Sequence, residues 1–188
     1  WERNTILRQF EYLEKDAPKL RSPKFVFAHI LIPHPPYIFA ADGHPTSPPQ
    51  TLLGQSWWLP QDKYVEQLKF LNHEITRIVT NILQRSERSP VIILQGDHGS
   101  GSLYQPEHLT DEFLLEKMTI FNAYHLPGGC DTLLYFAITP VNSLRLVLKG
   151  VLGLDIPLLE DKSYFSQEMT GYDFTDVTDR IKRARRGG

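Results

Sequence analysis

Two short apolar runs flank one long amphipathic segment, and this order limits the fold more than any other feature of the chain. Phe25-Val-Phe-Ala-His-Ile-Leu-Ile32 is almost continuously apolar and rich in aromatic and β-branched residues. Its length and content predict a strand buried on both faces, as in a parallel sheet. From Asp62 to Arg85, the residues Val65, Leu68, Leu71, Ile75, Ile78, Val79 and Ile82 recur with the 3.6-residue period of a helix. Ser89-Pro90 ends that pattern, and Val91-Ile-Ile-Leu94 reads as a second buried strand. Strand, helix and strand in this order predict a βαβ unit with a right-handed crossover. The expected fold class is therefore α/β, a mainly parallel sheet flanked by helices.

The remaining elements follow from local signals. Ile6, Leu7, Phe10 and Leu13 sit at helical spacing within residues 4–16, before Pro18 and Pro23 interrupt. Residues 33–60 hold seven of the 14 prolines together with Gly43 and Gly54, a long irregular loop of the kind that often carries function. Trp57 and Trp58 near its end read as anchors pinning the loop, with a pocket wall as the alternative. A short helix is expected near Thr110–Glu116 and a third strand over Thr119–Leu126, closed by Pro127-Gly128-Gly129. Thr139-Pro140 starts a helix over Val141–Val151, with Pro in its first turn. Residues 155–180 carry no firm assignment. At 188 residues, one domain covering 1–188 is the expectation.

A hydrophobic share of 41% and a charged share of 22% exclude a disordered chain, a collagen and a coiled coil. The net charge of −2 gives no general field for nucleic acid. Charge is nevertheless uneven. Arg180, Lys182, Arg183, Arg185 and Arg186 are five of the 20 cations, so residues 1–179 carry −7. This predicts a solvated, disordered basic tail over 180–188, with attraction to anionic lipid or polymer as the sharper alternative. Cys130 is the single cysteine, which excludes an intrachain disulfide and a cysteine-based zinc site.

The chemistry-bearing residues follow the apolar runs. In an open α/β sheet, ligands bind beyond the carboxyl ends of strands. Asp97 and His98 stand there, just after Val91–Leu94. A carboxylate oxygen and an imidazole nitrogen form an ordinary ligand pair for zinc or manganese. Gly96 and Gly99 bracket them, and the pairing predicts a tight backbone that lets both side chains turn inward. His29 lies inside the first run and His34 just past its end, where neutral imidazoles ligate metal and protonated ones donate to an anionic oxygen. Pro33, Pro35 and Pro36 stiffen the chain around His34. His108 is an additional candidate from the following loop, against the reading of a surface histidine. Taken alone, His29 reads first as a satisfied core histidine.

Three stretches in order carry a family resemblance: Phe25–Tyr37 with its His-Ile-Leu-Ile-Pro-His, the helix from Tyr64 through Asn72, and Val91-Ile-Ile-Leu-Gln-Gly-Asp-His-Gly99. Together they resemble the C-terminal portion of a sulfatase-like domain of the alkaline phosphatase superfamily. The likeness is closer to membrane-anchored members such as phosphoethanolamine transferases and lipoteichoic acid synthases, and it covers residues 24–127 best. It implies an alkaline phosphatase-like three-layer sandwich, present in part, with Asp97 and His98 as metal ligands. It also implies His29 and His34 as catalytic histidines near the transferred group, and a looser match for His108. The implied cofactor is a divalent metal, zinc or manganese, with calcium or magnesium as alternatives.

The implied activity is hydrolysis or transfer of a phosphoryl or sulfuryl ester on a lipid headgroup or glycan, without nucleic acid. The implied location is the extracytoplasmic face of the cell membrane, through transmembrane helices upstream. In that family the nucleophile and first acidic ligand precede the first histidine strand. Residues 1–23 read as one helix, and Thr5 within it is a poor nucleophile. The chain is therefore expected to be a piece of a longer polypeptide whose upstream half completes the site, and to be inactive alone. The alternative is a non-catalytic domain of the same fold that binds an anionic glycan, a lipid headgroup or a protein.

Overall fold

A computed structural model describes residues 2–46, 60–105, 108–167 and 171–187. The chain divides into two compact units, residues 1–89 and 90–188, each described by itself. Trp57 and Trp58 lie outside the described residues.

The first unit rests on two helices, α1 (Glu2–Lys15) and α2 (Gln61–Arg85). Both match the periodicity expected for them, since their apolar stripes face a common core. Ile6 and Phe10 from α1 meet Phe70 and Ile78 from α2, with Ile32 and Phe39 from the intervening chain. The Phe39 and Phe70 rings stack with centroids 4.4 Å apart. At the other end of the helix pair, Arg77 bridges Glu14 and Glu74, and Asn81 Nδ2 donates to Glu14 at 2.7 Å. The chain reverses between Phe39 and Pro45, which form an isolated antiparallel bridge. Gly43 makes that turn with φ +83°, and a Cβ there would lie 2.9 Å from the Phe70 ring.

The expected first strand is the clearest departure. Residues 25–32 form no strand, and Phe25 and Phe27 are about four-fifths exposed. An apolar, β-branched run signals extended backbone and burial, but a strand exists only where a neighbour pairs its N–H and C=O groups. Within this unit α1 offers side chains instead, as where Gln9 Nε2 donates to the His29 carbonyl at 3.1 Å. Of this run, Ile32 is buried in the core and Ile30 packs against it partly buried.

The second unit begins with β1 (Ile92–Gln95), which pairs antiparallel with β2 (Asn122–His125) in the register Ile92 to His125 and Gln95 to Asn122. Both strands fall where expected, but their ladder is antiparallel and they are only half-buried. The fold is thus mixed helix and strand, and the expected parallel βαβ pairing is absent among the described residues. Between these strands runs α3 (Asp111–Met118), whose Thr110 side chain caps the Phe113 N–H. Next, α4 (Pro140–Gly150) starts at Thr139 with Pro at its first turn, as its sequence predicts. Asn142 on α4 is fully buried and exchanges two hydrogen bonds with the Leu159 backbone, tying down the strand-poor 155–162 stretch. A two-residue ladder joins β3 (Tyr164–Phe165) to β4 (Thr175–Asp176).

The expected disordered tail is instead a helix, α5 (Thr178–Gly187). Val177 and Ile181 bury against Phe113 and Leu114 of α3. Arg180 donates through Nε to Asp111 at 2.6 Å and through Nη2 to the Leu109 carbonyl at 2.7 Å. The density of cations hides an apolar stripe only one residue wide, which is enough to dock a helix of ten residues. Among the described residues no helix is long and apolar enough to cross a membrane.

Candidate functional site

Asp97 and His98 occupy a two-residue bridge tied at both ends. The Gly96 N–H donates to the Phe121 carbonyl at 2.8 Å, continuing the β1–β2 ladder by one residue. The Gly99 N–H donates to the Lys117 carbonyl at 2.7 Å, at the C-terminal end of α3. The dipeptide is thus held between a strand and a helix end. Neither glycine has a positive φ, and the two differ in how tightly the backbone holds them. Gly99 is required for closeness: a Cβ there would lie 1.9 Å from the Glu116 carbonyl oxygen. Gly96 has room, its nearest neighbour to a Cβ being 3.7 Å away.

Asp97 accepts the His98 N–H at Oδ1 (2.9 Å), which leaves Oδ2 3.6 Å from His98 Nε2. Two ligands bound to one zinc at ~2.0–2.1 Å with tetrahedral angles lie about 3.4 Å apart. The pair therefore fits two adjacent positions of one metal. His98 Nδ1 lies 2.7 Å from the Gly99 carbonyl and 3.0 Å from Lys117 Nζ. Two proton arrangements fit the ring, each satisfying one of these two neighbours. With Nδ1 protonated toward the carbonyl, Nε2 holds a lone pair for a metal, the usual orientation of a ligand imidazole. With Nδ1 accepting from the Lys117 ammonium, Nε2 carries the proton and donates toward Asp97. A metal selects the first arrangement.

Burial pushes the Lys117 amine below its ordinary range, against the opposing pull of Asp97 and Glu116. Next to it, Glu116 accepts from the Ser100 and Ser102 hydroxyls and from the Leu103 N–H at 3.0 Å. Burial raises the Glu116 carboxyl, but these hydrogen bonds outweigh it and hold the group below the usual carboxylate range. Glu116 thereby clamps the loop after Gly99 onto α3. Neither Lys117 nor the role of Glu116 is visible from sequence spacing, because both depend on where the end of α3 meets the loop.

The linked acid dependence has a definite sign. A carboxyl whose folded pKa is depressed contributes stability that is complete above its unfolded value of about 4.3 and is lost as pH falls through the folded value. The melting temperatures of wild type and Glu116→Gln should therefore differ at pH 7 and converge on acidification. A difference that stays constant down to about pH 2.5 would contradict the clamp.

His34 and His29 belong to the first unit. His34 is exposed, with Nδ1 against the Pro35 carbonyl, so its Nε2 is turned away from the backbone. The turn that carries it is fastened by Gln67 of α2, which sequence reasoning passed over. The Gln67 side chain is fully buried, donates to the His34 carbonyl at 3.2 Å, and accepts from the Ile38 and Phe39 N–H groups at 2.8 and 3.2 Å. His29, expected inside a buried strand, is exposed on an open groove of about 470 Å³ that also presents Arg8, Tyr12 and Phe27. His108 is exposed, its N–H bonded to the Gln105 carbonyl at 3.1 Å. Among the described residues no group of three His, Cys, Asp or Glu side chains gathers in metal-holding geometry, so Asp97 and His98 stand as a pair. Cys130 donates to the Gly150 carbonyl at 3.2 Å, a structural contact.

No protein-family model, no characterised protein and no solved structure matches the chain significantly.

Proposed function

We propose that this chain is part of a sulfatase-like, metal-dependent hydrolase or transferase acting on phosphoryl or sulfuryl esters. Its fold in the whole protein would be the parallel, alkaline phosphatase-like sandwich. Its substrates would be esters on lipid headgroups or glycans at the extracytoplasmic face of a membrane. The observation that carries this reading is the Asp97–His98 pair, whose free oxygen and nitrogen lie 3.6 Å apart on a backbone bridge tied to β2 and α3.

Asp97 and His98 would hold zinc or manganese as two of its ligands. A divalent metal in such a site lowers the pKa of a nucleophile and stabilises charge on the reacting centre. Gly99 orients the imidazole through its carbonyl. The Lys117 ammonium supplies positive charge beside the pair, suited to an anionic ester oxygen. His34 and His29 would donate to transferred oxygens or protonate the leaving group. The nucleophile and the first acidic ligand would come from another part of the polypeptide, so the chain alone should show no turnover.

A second reading has its own support. Lys117 lies 3.0 Å from His98 Nδ1, and an ammonium donating to that nitrogen leaves the Nε2–H and its own remaining N–H groups as donors that bind an anion without metal. That arrangement serves a non-catalytic domain recognising an anionic glycan, lipid headgroup or protein. Assays of the full polypeptide on a phosphodiester and an aryl sulfate, with added zinc, manganese, calcium or magnesium, separate the two. The enzyme reading expects metal-dependent turnover that falls at least about 100-fold in His98→Ala. Tight anion binding with no turnover under any metal would establish the second reading instead.

A further inference from the structure

The basic segment folds as α5, and the proposed reaction makes no use of its outward face. At about 100° per residue, Val177 and Ile181 define the inner side of the helix. Lys182, Arg183 and Arg186 then fall on the opposite side, and all three are exposed. Arg180 sits on one flank and is committed to Asp111 and Leu109. Arg185 sits on the other flank, its guanidinium 5.7 Å from the centre of the Phe136 ring. Phe136 is 94% exposed, the most exposed large apolar side chain among the described residues. The one acid on the outward face, Asp179, is 4.0 Å from Lys182 Nζ and partly offsets it.

We propose that this face of α5, together with Phe136, is a docking surface for an anionic lipid bilayer. Charge complementarity selects a negative partner. Five of the 20 cations cluster in one helix of ten residues, whereas residues 1–179 carry a net charge of −7. A nucleic acid tracked along its backbone would need positive charge on several elements. A bilayer needs a single flat contact, and it offers an apolar layer just beneath its headgroups for an exposed ring. Arg185 holds Phe136 at the rim of the basic face, so both components can engage together. The inference stands on the second unit alone and does not depend on the metal reading.

The test is cosedimentation of the protein with vesicles of phosphatidylcholine containing about one-third phosphatidylserine, against phosphatidylcholine alone. Binding should require the anionic lipid and weaken as salt rises from about 0.1 to 0.5 M. Neutralising the face in Lys182→Gln/Arg183→Gln/Arg186→Gln should lower the partition coefficient about 100-fold. Phe136→Ala should lower it about tenfold, and Asp179→Asn should raise it about fivefold. All these side chains are exposed, and unchanged melting temperatures confirm that folding is intact. Equal binding to both vesicle types, no binding to either, an unaffected Phe136→Ala, or capture by RNA without vesicle binding overturns the proposal.

Discussion

Replacing Gln67 by alanine should destabilise the protein by about 3–5 kcal/mol and free the loop that carries His34. The side chain is fully buried and makes hydrogen bonds to three backbone groups of residues 34–39. Each buried backbone group left without its partner costs about 1–3 kcal/mol, and the Phe39 N–H is buried. Truncation also leaves a cavity beneath Phe39, which stacks on Phe70 in the core. Gln67→Met fills the space but cannot serve either N–H, so it should recover only the packing part of the loss. Thermal melts decide the matter. A drop of 10 °C or more is expected for alanine at roughly 4–8 °C per kcal/mol, and a drop under about 2 °C would contradict the fastening role.

Gly99→Ala should have a comparable effect on the other unit, through crowding. Its Cβ would lie 1.9 Å from the Glu116 carbonyl oxygen and 2.7 Å from that of Thr119, both backbone atoms at the end of α3. Neither can swing aside as a side chain can, so the 97–99 bridge must lift off the helix. That movement breaks the Gly99 to Lys117 hydrogen bond of 2.7 Å and carries Asp97 and His98 with it. Overpacking of this kind costs about 3 kcal/mol or more. Gly96→Ala is the matched control, since its Cβ meets nothing within 3.7 Å, and it should stay within about 1 kcal/mol. Equal stability of the two variants would contradict the packing of Gly99 against α3.

Helices that announce themselves by period and cap were legible. The apolar stripe of α2, Thr110 before α3 and Thr139-Pro140 before α4 all mark elements that form where expected. The reason is that helical hydrogen bonds close within the segment, so local signals suffice. Strands need a partner, and the partner is a matter of long-range assembly. Thus Val91–Leu94 and Thr119–Leu126 read correctly as strands but not as antiparallel neighbours, while Phe25–Ile32 has strand content and no ladder. In α5 the composition misled, because five cations outweigh Val177 and Ile181 in any average although those two decide docking. At the site, Asp97 and His98 were recognisable from residue type and position after a strand. Lys117, Glu116 and Gln67 were not, since their contacts span 19, 16 and 33 residues at most and leave no local pattern.

Metal loading tests the central claim most directly. The protein is dialysed against saturating zinc or manganese, washed, and its bound metal counted beside Asp97→Ala and His98→Ala. Asp97 is largely exposed and His98 lies partly exposed at the surface, so neither variant should lose its fold. With two ligands in place, wild type should retain metal weakly and each variant should retain less, the residual binding being common surface background. Equal metal content in all three proteins would contradict the assignment of Asp97 and His98 as ligands, and with it the metal-dependent reading of the site.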